Sequence, residues 1–329
     1  MNLRIENATI AGALFAGALT MTHAAGPSLP AYPVKPIRVI TNSPPGAVPD
    51  VVVRIIGERL GPALGQPIVV ENRVGAIGTI SLAAVAKARP DGYTFGTMSP
   101  PHVVAPSLVP QLPYDMARDL TPVRQTTRAS YLLLVRSKSP IGSLPELLAL
   151  AKGHPDRLTY SSGGNATPPH LAAELFKQQA GIKVRHIPYK GSPAAMNALL
   201  GEEVELLFAI LSTAGPHLRS GKLRALATTG PARMAEFPEV ATLAELGLTG
   251  FDVRDWQGLV APSGTPRHLI ERFSAEVAKV LNQSDVSERL AGLGFEPVVE
   301  SDPASFGALI NSELERWTKV VREASIRID

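Results

Sequence analysis

Short β-branched runs alternate with helix-length segments along most of the chain. Ile37-Arg38-Val39-Ile40-Thr41, Ile68-Val69-Val70-Glu71 and Tyr93 to Thr97 read as strands. Between them, Asp50 to Leu64 sets Val51, Ile55, Leu60 and Leu64 roughly at helical spacing. Gly78 to Ala88 reads as a small-residue helix, stopped by Arg89-Pro90-Asp91-Gly92. The rhythm resumes with strands at Tyr131 to Val135, Leu158 to Ser161, Val184 to Ile187, Val204 to Phe208 and Leu223 to Ala227, each followed by a helix-like stretch. Strands alternating with helices predict doubly wound, parallel sheets. Ligands of such sheets bind outside the carboxyl ends of the strands.

The last third changes pattern. Phe251 to Ala261 reads as one long strand, broken by Pro262-Ser263-Gly264-Thr265-Pro266. Helices are expected over Pro266 to Asn282, Ser284 to Gly292, and from Asp302-Pro303 to about Ala324. At 329 residues the chain is long enough for two domains. No linker or repeat divides it, so the two are expected to interleave through crossings that serve as hinges.

The first residues carry an address. Met1 to Asn7 include Arg4 and Glu6, Ile10 to Met21 are apolar and uncharged, and Thr22-His23-Ala24-Ala25 offers small residues to a signal peptidase. This predicts a secretory signal peptide over residues 1–25, cut near Ala24 or Ala25, and an exported mature protein. The alternative, an uncleaved anchor, suffers from a run shorter than the roughly 20 residues of a membrane span.

Composition removes several chemistries. With no cysteine, disulfides, thiolate metal sites and cysteine nucleophiles are excluded. The net charge of +3, from 32 Lys+Arg against 29 Asp+Glu, is too small and dispersed to announce a nucleic-acid partner. No Gly-x-Ser-x-Gly or His-Glu-x-x-His occurs, no Gly-x-Gly-x-x-Gly follows a strand, and the seven histidines lack zinc spacing. Neither cofactor nor metal is expected.

What remains is a set of strand-to-helix loops rich in Gly, Pro and hydroxyls. The first runs Asn42-Ser43-Pro44-Pro45-Gly46-Ala47-Val48-Pro49-Asp50. Its prolines stiffen it, Gly46 permits a tight turn, and the helix start beyond offers unpaired N–H groups to a carboxylate. The second runs Ser161-Ser162-Gly163-Gly164-Asn165-Ala166-Thr167-Pro168-Pro169-His170, where Ser162, Asn165 and Thr167 suit an oxyanion. The two loops are expected to face each other across a cleft, with Gly46 and Gly163 opposed. His170 reads as a ligand contact or as a structural histidine at a helix start. Lys190, in His186-Ile187-Pro188-Tyr189-Lys190-Gly191, either draws an anion inward or is simply solvated. Arg73 reads as a substrate contact or a loop-fixing ion pair, and Trp256 as cleft lining or packing.

Taken together these stretches resemble a known family. Tyr32-Pro33-Val34-Lys35-Pro36-Ile37-Arg38, Pro44-Pro45-Gly46 with Asp50, Leu64-Gly65-Gln66-Pro67 through Asn72-Arg73, and Pro90-Asp91-Gly92-Tyr93-Thr94 come in order. Leu112-Pro113-Tyr114-Asp115, His186 to Gly191, Gly221 to Ala227 and Gly258 to Pro266 follow. In order and spacing, from about Tyr32 to Asp329, the chain resembles substrate-binding proteins of tripartite tricarboxylate transporters, the Bug family. The resemblance implies an α/β fold of two doubly wound lobes about a central cleft, the periplasmic binding protein type II architecture. It implies lobe 1 from residues 32–127 plus 257–329 and lobe 2 from 128–256. It implies a small organic acid as ligand, membrane permease subunits as partners, no nucleic acid and a monomer. The carried-over site comprises Ser43, Pro44, Pro45, Gly46, Ala47 and Asp50, then Ser99 and His102 after the Tyr93 strand. From the other lobe come Ser162, Gly163, Asn165, Thr167, His170, Lys190 and Ala209.

The chain departs from the family pattern in places. Ala47, Val48 and Pro49 stand where glycine and a hydroxyl residue are usual, and Val74 replaces a proline. Ala209 stands where Asp or Asn is common, which points to a plain carboxylate or dicarboxylate rather than a zwitterionic amino acid. The expected function is a periplasmic solute-binding protein that hands a carboxylate to its permease, without catalysis. The alternatives are a ligand sensor signalling to a membrane receptor, or a hydrolase using Ser162 and His170, which lacks a third group to align its base.

Overall fold

The computed structural model describes residues 32–155 and 157–328, so the expected leader and its cut lie outside the described residues. In chain order the elements begin β1 (Ile37–Thr41), α1 (Val48–Leu64), β2 (Ile68–Asn72), a 3₁₀ turn (Ala76–Gly78), α2 (Thr79–Ala86), β3 (Thr94–Met98), α3 (Pro100–Leu108), α4 (Met116–Asp119) and β4 (Leu120–Arg136). The middle comprises α5 (Leu144–Gly153), β5 (Thr159–Ser162), α6 (Pro168–Ala180), β6 (Arg185–Pro188), α7 (Ser192–Leu200), β7 (Leu206–Ile210), α8 (Leu211–Arg219) and β8 (Leu223–Thr228). The chain returns through β9 (Arg254–Pro262), α9 (Arg267–Leu281), α10 (Ser284–Gly292), β10 (Glu296–Pro297) and α11 (Pro303–Glu323).

The strands form one mixed sheet in the order β2-β1-β3-β9-β4-β7-β5-β6, with β8 and β10 also paired to β4. β1, β2 and β3 are parallel, as are β5, β6 and β7. The parallel expectation fails at the centre. β9 runs antiparallel to both β3 and β4, and β4 runs antiparallel to β7 and β8. The two long strands, one leaving the first half and one returning to it, pair from Leu120↔Pro262 to Ser130↔Arg254. Beyond Ser130, β4 continues into the second half, where Tyr131 to Leu134 pair with β7.

β4 begins at Leu120 rather than Tyr131, because a polar-looking stretch is buried there. Thr126 and Thr127 are buried, and Arg124 is 1% exposed. The Arg124 guanidinium donates to the carbonyls of Ser274, Val298 and Val299 at 2.5, 3.0 and 2.9 Å. Full hydrogen bonding is what makes a buried cation tolerable. Burial pulls its pKa down to about 10.

One core cluster runs from Ile40, Leu82 and Val103 through Leu133 and Phe176 to Phe306 and Trp317, with further local packing at either end of the sheet. In the first half, Phe95 of β3 stacks on Phe273 of α9 with ring centroids 3.8 Å apart. The apolar stripe of α9, Ile270, Phe273, Val277 and Val280, follows helical spacing and is buried. Trp256 of β9 meets Phe306 of α11 edge-on, and Glu313 accepts from both Trp256 Nε1 and Trp317 Nε1, at 3.1 and 2.8 Å. Gly258 lets α11 approach, since a Cβ there would meet the Phe306 ring at 2.1 Å. In the second half, Leu132 and Leu134 of β4 pack with Leu199, Val204, Leu207 and Leu223. Each large apolar side chain so buried contributes roughly 1.5–3 kcal/mol.

Candidate functional site

A cavity of about 200 Å³ opens where loops of the second half meet the start of α1. Four helix starts line it: Val48 of α1, Pro168 and Pro169 of α6, Ser192 of α7, and Ser212 with Thr213 of α8. None of these four helices has its first turn capped by the residue before it; those positions are Ala47, Thr167, Gly191 and Ile210. By contrast α5 and α11, elsewhere, are capped by Ser143 and Asp302 side chains. First-turn N–H groups lack intrahelical acceptors, and each helix start carries about half a positive charge. Four of them converging on one space favour an anion there. Prolines remove donors from α1, α6 and α7, since Pro49, Pro168, Pro169 and Pro193 have no N–H. The first turn of α8, Leu211-Ser212-Thr213, keeps all of its amides.

The floor of the cavity comes from the two crossing strands. Asp255 on β9 pairs with Ala129 on β4, and Tyr131 stands two residues on, on the same face. Tyr131 is 2% exposed and its hydroxyl has no hydrogen-bond partner. Asp255 lines the cavity; its Oδ1 accepts only a long 3.4 Å contact from Gln257 Nε2. Burial lifts its pKa to about 7, against the pull of the Trp256 amide. Among the described residues, no cation is ion-paired to Asp255 and no Lys, Arg or His lines the cavity.

Three loops share one fastening device. In each, the third residue of the helix reaches back to hold an amide of its own loop. Asp50 Oδ2 accepts from Gly46 at 2.9 Å, His102 Nδ1 from Ser99 at 3.1 Å, and His170 Nδ1 from Ala166 at 3.0 Å. Asp50 also accepts from Arg54 Nε and from Asn72 Nδ2 at 2.8 Å. Burial opposes its ionisation, but these bonds outweigh it and hold the carboxyl near 2. Burial lowers both histidines to about 4, so their rings are neutral with Nδ1 accepting. His102 is wholly buried against Gly78, where a Cβ would stand 2.4 Å from its Nε2.

The residues expected in the site therefore separate. Gly163 and Ala209 line the cavity. From the first loop the lining residue is Val48, while Pro44, Pro45 and Gly46 are exposed and Ser43 is buried beside Thr41. The expectation that Gly46 opposes Gly163 across the cleft is corrected: Gly46 is outside the lining and Asp50 already holds its amide. Ala47 gives its amide to Pro44. Asp50, Ser99, His102 and His170 fasten loops, and the Thr167 hydroxyl donates to Gly164 at 2.8 Å. Asn165 lies in that same loop outside the lining, and Lys190 is exposed away from it. Arg73 pairs with Glu71, the loop-fixing alternative, and Trp256 packs. A wider groove of about 670 Å³ along α1 and β2 holds none of these loop residues. Among the described residues no group of His, Asp or Glu is placed to hold a metal.

Ser162 meets a histidine other than the expected one. Its Oγ lies 2.7 Å from His186 Nε2, and His186 stacks on His170 at 3.9 Å. Burial, then His170, hold His186 near 3, which leaves a feeble general base. The Ser162 hydroxyl also donates to its own loop at Gly164, 2.9 Å away. Asp255 and Tyr131 escaped the loop-based reading because they sit within strands. The available signal was slight: Asp255 is one of two carboxylates, with Asp252, in the polar first half of the strand read over Phe251 to Ala261.

The model of the tripartite tricarboxylate transporter family receptor matches residues 52–326. Protein BugT of Bordetella pertussis is 37% identical over 311 residues, covering 93% of this chain and 94% of that one. Two solved structures from Rhodopseudomonas palustris are similar. Rpa4515 with adipate has a TM-score of 0.77 at 32% identity, covering 90% of this chain and 99% of that one. MatC with bound malate has a TM-score of 0.74 at 33% identity, covering 88% and 100%.

Proposed function

The chain belongs to the tripartite tricarboxylate transporter receptor family, and from that premise we propose that it captures a small organic carboxylate in the cavity at the four helix starts. The single observation that carries this reading is the convergence of four uncapped helix N-termini on one cavity. Relatives holding adipate and malate support the ligand class. The cavity, at about 200 Å³, is smaller than the roughly 300 Å³ where drug-sized pockets begin, which suits a small acid.

The reading extends to the whole molecule. Residues 32–127 with 257–329 form lobe 1, residues 128–256 form lobe 2, and closure flexes the β4–β9 ladder near Ser130 and Arg254. The loaded protein works as a monomer in the periplasm, after loss of its leader, and delivers the acid to the family's membrane permease. It performs no catalysis: the Ser162–His186 contact has a feeble base and no third group to orient it.

Thermal melts across organic acids test the reading. A true ligand at 100 times its Kd stabilises by about 2.7 kcal/mol, which raises Tm by several degrees in a two-state melt. A flat profile across mono-, di- and tricarboxylates and amino acids overturns it. Turnover of activated esters that disappears in Ser162→Ala overturns the non-catalytic part alone.

A further inference from the structure

We propose that the captured acid carries an ammonium group beside its carboxylate, and that Asp255 receives that ammonium. This rests on the carboxylate-capture reading and reverses the expectation drawn from Ala209. That expectation weighed only the matched loops, where no free carboxylate exists; the crossing strand β9 supplies one.

The cavity is electrically two-ended. Helix starts of α1, α6, α7 and α8 present partial positive charge and unfilled N–H donors on one side. Asp255 stands on the other, with the unpartnered Tyr131 hydroxyl beside it. No side-chain cation of the described residues answers Asp255. Its neighbour Arg254 is turned to Asp252 at 2.8 Å, and Arg128 of β4 to Glu296 and Glu300. The other titratable groups acting on this corner are Tyr131 itself and Glu313 of α11, neither of them cationic at neutral pH. A half-buried carboxylate held only by the Trp256 amide and a long Gln257 contact, with no cation beside it, is under-compensated. A plain acid would make the corner worse, by placing a second negative charge near the first or by forcing Asp255 to take up a proton. A ligand ammonium removes the deficit, while the ligand carboxylate turns to the helix starts. An α-aminocarboxylate has both charges at a spacing that a cavity of this size holds.

The two cases differ in proton count. In the empty protein Asp255 titrates near 7, so at that pH a fraction of molecules carries its proton. Ammonium binding favours the ionised form and expels that fraction into solution. Binding of an amine-free acid favours the protonated form and draws protons in.

The experiment is calorimetry at pH 7 with three pairs: L-alanine and propionate, L-aspartate and succinate, L-glutamate and glutarate. Each is run in two buffers of different ionisation enthalpy. The expected result is at least one amino acid binding tenfold or more tighter than its amine-free partner, with net proton release. Asp255→Asn, which mimics the protonated acid in shape, should weaken that amino acid about tenfold to a hundredfold and leave its partner unchanged or tighter. Tighter binding of an amine-free member with proton uptake overturns the ammonium and leaves carboxylate capture standing. Equal binding within every pair that responds, or amino-acid binding indifferent to Asp255→Asn, overturns it likewise. No response to any of the six overturns the ammonium, while the thermal melts across the wider set of acids decide carboxylate capture separately. The buffer comparison uses the unaltered protein, so the sign of the proton exchange decides the matter even if the variant fails to fold.

Discussion

At the scale of single residues, Gly163 lines the candidate cavity at a place where a side chain has no room. A Cβ there would stand 3.0 Å from the Ser192 amide nitrogen and 3.1 Å from the Gly191 carbonyl carbon. Both are backbone atoms at the start of α7, so relief requires moving that helix start. Gly163→Val should cost about 1–3 kcal/mol and cut ligand affinity more than tenfold. Denaturant titration and calorimetry read the two effects, and unchanged affinity would take this loop out of the site. Gly163 was legible because a Gly pair after a strand advertises a tight turn. The roles of Asp50, His102 and His170 were less so. A polar residue at a helix start looks alike whether it faces a ligand or its own backbone, and only the hydrogen-bond partner tells them apart.

At the scale of elements, boundaries were readable wherever strong stop signals stood. The helix expected over Ser284 to Gly292 has those same bounds in the structure, and α11 differs from its expected span by a residue at its end. The failures have physical causes. α3 opens on two prolines, which look like a break but suit the first helical turn. β4 hid because its buried Arg124 and Thr126 find their main hydrogen-bond partners far along the chain, at Ser274 and Gln257, which spacing cannot reveal. The same long-range pairing ties β9 to α11 through Glu313. It is 4% exposed and accepts from two indoles while Arg316 balances its charge at 3.1 Å. Glu313→Leu leaves both N–H groups without an acceptor. It should destabilise by about 2–5 kcal/mol, seen as a lower denaturant midpoint, whereas Glu313→Gln, which keeps an acceptor, should lose less. Equal losses in the two variants would show that volume, not hydrogen bonding, matters there.

At the scale of the whole molecule, acid should loosen the protein before its ion-paired carboxylates, such as Asp50, protonate. His102, His170 and His186 have folded pKa values near 4, 4 and 3, all below the ordinary 6.5, chiefly through burial. The unfolded chain therefore takes up their protons first. Stability is full above about pH 6.5 and is lost as pH falls toward 4. Asp255 acts in the opposite sense between about 4 and 7, because its folded pKa is raised. Three imidazoles against one carboxyl leave a net loss of several kcal/mol between pH 7 and 4.5. Melts at pH 7.5 and 5 should show a clearly lower Tm in acid, and a flat or rising Tm would refute the neutral rings. Protonation also turns Nδ1 of His102 and His170 from acceptor to donor, facing the Ser99 and Ala166 amides head-on. Ligand affinity should accordingly fall along with stability.

The pairing of Ser130 with Arg254 carries a consequence for how such receptors diversify. Opposite residues of an antiparallel ladder lie about 5 Å apart, so everything between them leaves and re-enters the remainder through a single doorway. The stretch from Tyr131 to Val253 is, in effect, a cassette. It supplies three of the four helix starts around the cavity, while the Phe95–Phe273 and Trp256–Phe306 ring pairs lie outside it. If the acid is captured at this cavity as proposed, a gene splice at these two codons would transplant most of a specificity from one relative to another. New tastes in acids can thus be acquired by recombination at one narrow seam, without redesigning the part that remains.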